Sequence, residues 1–417
     1  MHLIDITMFY AAEGGGVSTY LNAKARWLAQ RQRVRHSILS PAVHTQGTAP
    51  ALVRLPGIAM PGLNGYRMPR SVGAPARIMQ GLQPDLVEAG DAGHCAWAAL
   101  RIKRTLGIPA VAFYHSDVAR LVHERYGRLA MLATQRYLRR LYRQFDMVLA
   151  PSRLMVQQLA AMGVRGALHQ PLGIDPAIFH PACGRSEGRS EGRSEAGSEG
   201  GSDSGIEGGE AHSEARTEAR AEVRAQLRAQ LQLPAGARLL VYAGRFTAQK
   251  KIDVLIGAVR ALGQPYHLLL VGGGMALPPC AQATVLSFKR DQRQLARLLA
   301  SCDVLVHPGD CETFGLIVLE AMACGLPVVA TSGGAVAELL DGATGIVVAP
   351  NCVASLAAGI DAIYRRDVQA MSRAATRKAH GQYDWDCIMP QLMQRYAGLL
   401  ATRERADLEA ERRYAAE

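Results

Sequence analysis

Short apolar runs and longer stretches of helical spacing alternate along most of this chain. HLIDITMF is followed by apolar positions at helical spacing over about Val17–Gln30, then by the run VRHSILS. PDLVEAG leads to a helical stretch around Ala96–Leu106 and PAVAFYHS to another; DMVLAPS closes the series, with Ser152 as N-cap of the next helix. The alternation then restarts. ARLLVYAG, YHLLLVGGG, ATVLSF, CDVLVHPG, LPVVATS and TGIVVAP are six strand candidates separated by helical stretches. Strands alternating with helices predict parallel sheets covered by helices on both faces. Two such series predict two α/β domains, over residues 1–175 and 223–384, with a helix and charged tail over 385–417.

Residues 184–220 interrupt the pattern. From GRSEGRSEGRSEAGSEGG onward they form an imperfect four-residue repeat of Gly, Ser, Glu and Arg with almost nothing to bury, which predicts a disordered, flexible insert.

A length of 417 residues is comfortable for two domains, and 49% apolar with 20% charged residues suits a soluble protein with sizeable cores. The net charge of +11 is uneven: residues 1–181 hold 21 Lys and Arg against 9 Asp and Glu. A basic first half points to an anionic partner, whether nucleic acid, a phosphorylated substrate or an acidic membrane surface. Aromatic residues make up only 6% and no nucleic-acid module is recognisable, so a non-catalytic nucleic-acid binder is disfavoured. The eight cysteines include no C-x-x-C pair, and Cys302 and Cys324 sit in apolar runs; they read as small buried residues of a reducing compartment. MHLIDITMFY lacks the basic start and long apolar core of a signal peptide, and no apolar stretch approaches the roughly 20 residues that cross a bilayer. The expectation is a cytoplasmic protein, peripheral on the inner face of the cytoplasmic membrane if bound to one.

In an open α/β sheet, ligands gather at the carboxyl ends of strands, where loops meet helix N-termini. Four such loops carry unusual chemistry. In GDCETFGLIVLEAMACGLPVV, from Gly309, the strand ends near Pro308 and a helix is predicted from about Phe314 to Gly325. The amides of Phe314, Gly315 and Leu316 then suit a phosphate or a sugar hydroxyl. Glu312 sits at the mouth of the loop, and Glu320 falls in the second turn among Ile317, Val318 and Leu319. A carboxylate there needs a polar partner, which a vicinal diol such as a ribose supplies. A capping Glu312 with a solvent-facing Glu320 is the plainer alternative.

In VYAGRFTAQKKIDVLI a strand is expected to end at Gly244, with Arg245 and Lys250 before the next helix. Two cations there suit a diphosphate, though a surface pair is the simpler account. Gly14-Gly15-Gly16, between the first strand and first helix, allows close backbone approach to a ligand. The dinucleotide fingerprint G-x-G-x-x-G fails there because Thr19 takes the third glycine position. It fails again at Gly272-Gly273-Gly274, where Leu277 does. His115, in FYHSD, lies just past the end of a strand. Asp384-Trp385-Asp386 has a D-x-D form that can hold a metal, but it opens a helix, where N-capping accounts for it. No metal and no cofactor are expected.

Taken in order, the triple glycine, H-S-D, G-R-x4-K and E-x7-E enclosing T-F-G resemble the family-4 retaining glycosyltransferases of the GT-B fold. The likeness runs over nearly the whole chain apart from 184–220 and the last fifteen or so residues, nearest to bacterial mannosyl- and glucosyltransferases that act on glycolipid or lipid-linked acceptors. The resemblance implies two Rossmann-like domains facing a cleft, the C-terminal helix returning to the first. It further implies a nucleoside diphosphate sugar as donor, a hydroxyl acceptor and retention at the anomeric carbon without metal. Glu320 would bind ribose, Glu312 the donor sugar, and Thr313, Phe314, Gly315 and Leu316 sugar and phosphate. Arg245 and Lys250 would neutralise the diphosphate; Gly14, Gly15 and Gly16 would close over the donor, with His115 near the sugar and Phe288 near the base. Asn64, Tyr66, Arg67, Asp91 and Asp117 are the acceptor-side candidates. The sequence departs from the family at Leu172-Gly173-Ile174-Asp175, where N-G-[VI]-D is usual, and in its long insert. An epimerase or a synthase of a soluble disaccharide or sugar phosphate on the same fold remains the alternative.

Arg136, Arg139, Arg140 and Arg143 in QRYLRRLYRQF recur at helical spacing, so one face carries four positive charges beside aromatic and leucine side chains. An anionic membrane surface is the expected partner, with a solvated basic face or contact with the other domain as the alternatives.

Overall fold

The computed structural model describes residues 1–10, 15–31, 33–41, 51–59, 66–183, 221–287 and 291–414. Gly14, Asn64, Phe288 and the 184–220 insert lie outside them. The chain divides into two units, Met1–Gly173 with Tyr383–Glu417, and Ile174–Gln382.

The strands of the first unit are β1 (His2–Ile6), β2 (Arg35–Ser40), β3 (Ala51–Arg54), β4 (Gly57–Ala59), β5 (Arg67–Pro69), β6 (Leu86–Ala89), β7 (Ala110–Phe113), β8 (Met147–Ala150) and β9 (Leu168–His169). Its helices are α1 (Gly16–Ala29), α2 (Gly73–Leu82), α3 (His94–Leu106), α4 (Val118–Tyr142) and α5 (Arg153–Ala161). Seven strands pair in the order β3-β2-β1-β6-β7-β8-β9, all parallel, while β4 and β5 form a small antiparallel hairpin. Parallel strands covered on both faces are apolar throughout, which is why β1, β6 and β7 are buried at every residue. Ser152 caps α5 by accepting from the Met155 amide at 3.2 Å.

The second unit follows a helix over 221–230 (α6) with β10 (Arg238–Phe246), β11 (Tyr266–Gly274), β12 (Ala283–Leu286), β13 (Val304–His307), β14 (Val328–Thr331) and β15 (Gly345–Val348). These are the six expected strands, parallel in the order β12-β11-β10-β13-β14-β15. The helices are α7 (Ile252–Leu262), α8 (Gln292–Ala300), α9 (Leu316–Ala323), α10 (Val353–Tyr364) and α11 (Val368–Tyr383), and α12 (Trp385–Tyr414) then belongs to the first unit. Asp384 opens α12 as an N-cap: its carboxylate accepts from the Asp386 amide at 2.9 Å and its carbonyl from Cys387 and Ile388.

A buried polar cluster ties α12 to the first sheet. Lys24 of α1, with no exposed surface, donates to Asp5 of β1 at 2.8 Å and to the Tyr396 hydroxyl of α12 at 3.1 Å, and lies 3.4 Å from Glu88 of β6. Tyr20 donates to Glu88 at 3.0 Å, Tyr396 donates to its other oxygen, and His36 Nε2 stands 2.5 Å from Asp5. Burial would push the Asp5 carboxyl up, but Lys24 and His36 hold it well below the usual range; at Glu88 burial wins and the carboxyl rises.

In the Leu172–Asp175 loop the glycine, which keeps the family pattern, has a packing reason. A Cβ on Gly173 would stand 2.7 Å from the Tyr383 carbonyl oxygen and 2.8 Å from the Trp385 ring, so only glycine fits.

Candidate active site

In each sheet the strand order reverses once, between β1 and β6 in the first and between β10 and β13 in the second. Crevices at such reversals collect ligands. In the second unit, Arg245 and Lys250 come from the end of β10 and Glu312 from the loop after β13. The strand runs on to Phe246, two residues past the expected end at Gly244, so Arg245 sits in the ladder opposite Gly273. The glycines of β11 permit this close pairing: a Cβ on Gly272 would lie 2.0 Å from the Gly244 carbonyl oxygen. The Arg245 side chain is exposed and makes no hydrogen bond or ion pair among the described residues.

Lys250 ends a single 3-10 turn, Ala248–Lys250, and its ammonium pairs with Glu312 Oε1. His307, the last residue of β13, puts Nε2 3.2 Å from the same oxygen. Burial would raise the Glu312 carboxyl, but the Lys250 charge and the His307 contact hold it well below the usual carboxylate range. Glu312 is therefore ionised throughout the physiological range. Its Oε2 makes no hydrogen bond among the described residues. The loop is fixed from behind: the Glu312 carbonyl accepts from the Ala335 amide at 2.9 Å, and Thr331 Oγ1 donates to the Pro308 and Gly309 carbonyls.

The helix begins at Leu316, later than the expected start at Phe314, because Gly315 adopts a left-handed φ of 98° as N-cap. The amides of Gly315 and Leu316 have no partner among the described residues, whereas Phe314 is buried and Thr313 half-buried in the approach. Glu320 is not solvent-facing. It is 8% exposed, makes no side-chain hydrogen bond among the described residues, and burial pushes its carboxyl up to about 7. The crevice of the second unit therefore offers one ionised carboxylate with an open oxygen, one buried carboxyl in want of donors, and open amides between them.

The first unit's candidates gather at its own reversal and beyond. Gly15 is the N-cap of α1 with φ 131°, and Gly16 begins the helix. A Cβ at Gly15 would meet the Tyr66 hydroxyl at 3.5 Å, and Tyr66 packs edge-on against Phe9. Asp91 is buried, accepting from the Met8 and Gly93 amides at 2.9 and 2.8 Å. Asp117 caps α4, accepting from the Arg120 amide and the Tyr114 hydroxyl, each at 3.1 Å. Arg67 donates to the Gly57 carbonyl within the β4–β5 hairpin. His115 stacks on Phe113 with ring centres 4.1 Å apart, and burial pushes it down to about 3, so its imidazole is neutral.

Arg136, Arg139, Arg140 and Arg143 are all exposed on α4 and its C-cap. Of the leucine and tyrosine side chains beside them in sequence, Leu138, Leu141 and Tyr142 are buried in the core of the first unit, whereas Tyr137 is 40% exposed and donates to the Ala92 carbonyl. Beyond the break at Gly127 the arginines share their outward face with Leu129 and Leu132, 82% and 47% exposed. None of the eight cysteines is in a disulfide, and among the described residues no group of His, Cys, Asp and Glu could hold a metal ion and no helix is long and apolar enough to cross a membrane.

Residues 14–177 match the family described as Glycosyltransferase Family 4, and residues 237–366 the family described as Glycosyl transferases group 1. A GDP-mannose-dependent alpha-mannosyltransferase of Mycobacterium tuberculosis is 27% identical over 78% of this chain and 76% of its own length. A GDP-mannose-dependent alpha-(1-6)-phosphatidylinositol dimannoside mannosyltransferase of the same species is 26% identical, covering 91% and 92%. Among solved structures, the sucrose-phosphate synthase of Thermosynechococcus elongatus superposes with a TM-score of 0.71 at 20% identity, over 96% of this chain and all of that one. The two parallel-sheet Rossmann-like domains give the chain the GT-B fold, and the two family matches make it a glycosyltransferase, an enzyme that moves a sugar from a nucleotide-sugar donor to an acceptor. Within that class it is related to glycosyltransferase family 4 in its first half and to the group 1 glycosyltransferases in its second.

His307 is a neighbour of Glu312 that the sequence pattern does not single out. Its only signal is its place, the last residue of a strand that ends beside the glutamate loop.

Proposed function

We propose that the enzyme transfers a hexosyl group with retention from a nucleoside diphosphate sugar, of the GDP-mannose or UDP-glucose type, to a hydroxyl of a glycolipid, lipid-linked or saccharide acceptor. One observation carries this reading: a carboxylate clamped on one oxygen and a buried carboxyl without partners flank the start of the same helix. Glu312 takes a hydroxyl of the donor sugar on Oε2, and Glu320 takes the two ribose hydroxyls. The two mycobacterial relatives, GDP-mannose-dependent by name, support the donor class. In the reaction the bond from C1 to the diphosphate oxygen breaks, and the acceptor oxygen bonds to C1 from the same face. Its proton passes to the leaving phosphate. Arg245, Lys250 and the amides at the start of α9 hold the charge that builds on the diphosphate.

Titration with free GDP and UDP tests the two glutamates, since these ligands have ribose and no sugar. Glu320→Ala should weaken binding about tenfold, the scale of a hydrogen bond to a charged group. Glu312→Ala should leave binding nearly unchanged and lower kcat. The opposite pattern would exchange the two roles. The raised carboxyl adds a pH dependence: Glu320 ionises as pH rises through about 7, and the ionised form accepts both hydroxyls. GDP or UDP should therefore bind several-fold tighter at pH 8 than at pH 6, beyond any change seen in Glu320→Gln. A flat difference between the two proteins removes Glu320 from the ribose.

For the acceptor side we infer reversible binding to an anionic membrane surface. The support is the α4 face, where four exposed arginines stand with two exposed leucines. Each cation near an anionic surface contributes about 1 kcal/mol. In vesicle flotation, binding should require anionic lipid, fall with salt and drop when the four arginines become glutamine. Equal recovery with neutral vesicles would count against it and favour a soluble acceptor.

A further inference from the structure

We infer that His307 is a positioning residue that keeps Glu312 in place when Lys250 leaves it for the donor's diphosphate. This rests on the proposed role of Glu312 at the donor sugar. Lys250 and His307 both bind Oε1, and Oε2 is left open. The two partners differ in kind. Lys250 is a half-exposed ammonium on a flexible stem, able to turn toward an arriving anion. His307 is 2% exposed at the end of a strand, so its ring is enclosed and has little room to move.

The rest of the imidazole explains nothing else. His307 Nδ1 is buried with no hydrogen-bond partner, a cost that an apolar side chain in the same place would avoid. Only Nε2 has work, and Glu312 is its partner. The geometry places a proton on Nε2, with that N–H donating to Oε1. A clamp by Lys250 alone would fail at the moment of use, because a diphosphate competes for the same ammonium. With His307 on the same oxygen, the exchange costs Glu312 one bond and leaves its position fixed.

The test compares His307→Leu, which removes the donor at similar volume, with His307→Gln, whose amide restores an N–H near the Nε2 position. Steady-state kinetics are run on whichever of GDP-mannose and UDP-glucose the wild type turns over, with GDP or UDP titration and thermal melts alongside. His307→Leu should lower kcat about tenfold while the Kd for free GDP or UDP stays within about twofold. His307→Gln should recover most of the loss. In a Glu312→Ala background, His307→Leu should add no further loss, because it acts through that carboxylate. Wild-type kcat in His307→Leu, or an equal additional loss in the Glu312→Ala background, overturns the inference. If His307→Leu does not fold, a His307→Gln rate as low as that of Glu312→Ala overturns it as well. Wild-type turnover in Glu312→Ala is a different failure: the sugar-binding role of Glu312 falls, and the positioning role with it.

Discussion

Replacing Lys250 with alanine lowers sugar transfer at least about tenfold, and Arg245→Ala does the same, while both variants stay folded. Neither side chain belongs to a core: Arg245 is exposed and Lys250 half-exposed. A single charge-assisted contact to a charge that grows in the transition state is worth ~1.5–3 kcal/mol, or roughly 10- to 100-fold in rate. Melting temperatures near wild type with kcat/KM reduced on the donor identify the effect as catalytic. Near-normal rates in both variants would remove the diphosphate role from this pair.

Lys24→Ala should be the most damaging single change to stability. It leaves Asp5 and Glu88 buried without their cation, and breaking a buried ion pair on one side costs about 3–5 kcal/mol. For a unit of this size the melting transition falls by roughly 6–20 °C. The transition of the second unit should stay where it is. The pH dependence separates lost charge from lost packing. In the wild type the Asp5 carboxyl is held low, so its stabilisation is fully present above the unfolded carboxylate range and fades as pH falls. In the variant Asp5 keeps only His36, and Glu88, whose folded value already lies above the unfolded one, loses its cation, so acid relieves part of the penalty. The gap between the two proteins therefore narrows toward pH 4. A loss below about 1 kcal/mol at neutral pH would show that Lys24 contributes little.

The central strands were legible because both faces of a parallel sheet are covered and the residues run apolar without a break, as in Leu268–Val271. What escaped were β3 and β9, the two edges of the first sheet, and the β4–β5 hairpin. These have two to four residues with half-exposed side chains, and no apolar run marks them. The Glu312 and Glu320 pair was legible because spacing fixes both relative to one helix. The Lys250–Glu312–His307 contact was not, since it joins loops after two strands that neighbour each other in the sheet and not in the sequence. Lys24 reads as a solvated charge on an amphipathic helix, and nothing near it in sequence announces a tyrosine 372 residues away.

That distance bears on the order in which the molecule can be made. Synthesis proceeds from the N-terminus, and domains fold as they emerge. Residues 174–382 form one continuous stretch, so the second unit can close on itself as soon as it has left the ribosome. The first unit, though begun earlier, is finished later: Asp5, Lys24 and Glu88 wait for the hydroxyl of Tyr396 through the translation of the entire other unit. The half of the enzyme that is encoded first is thus the last to be sealed, and its β1–α1–β6 layer spends that interval with a polar cluster open to solvent.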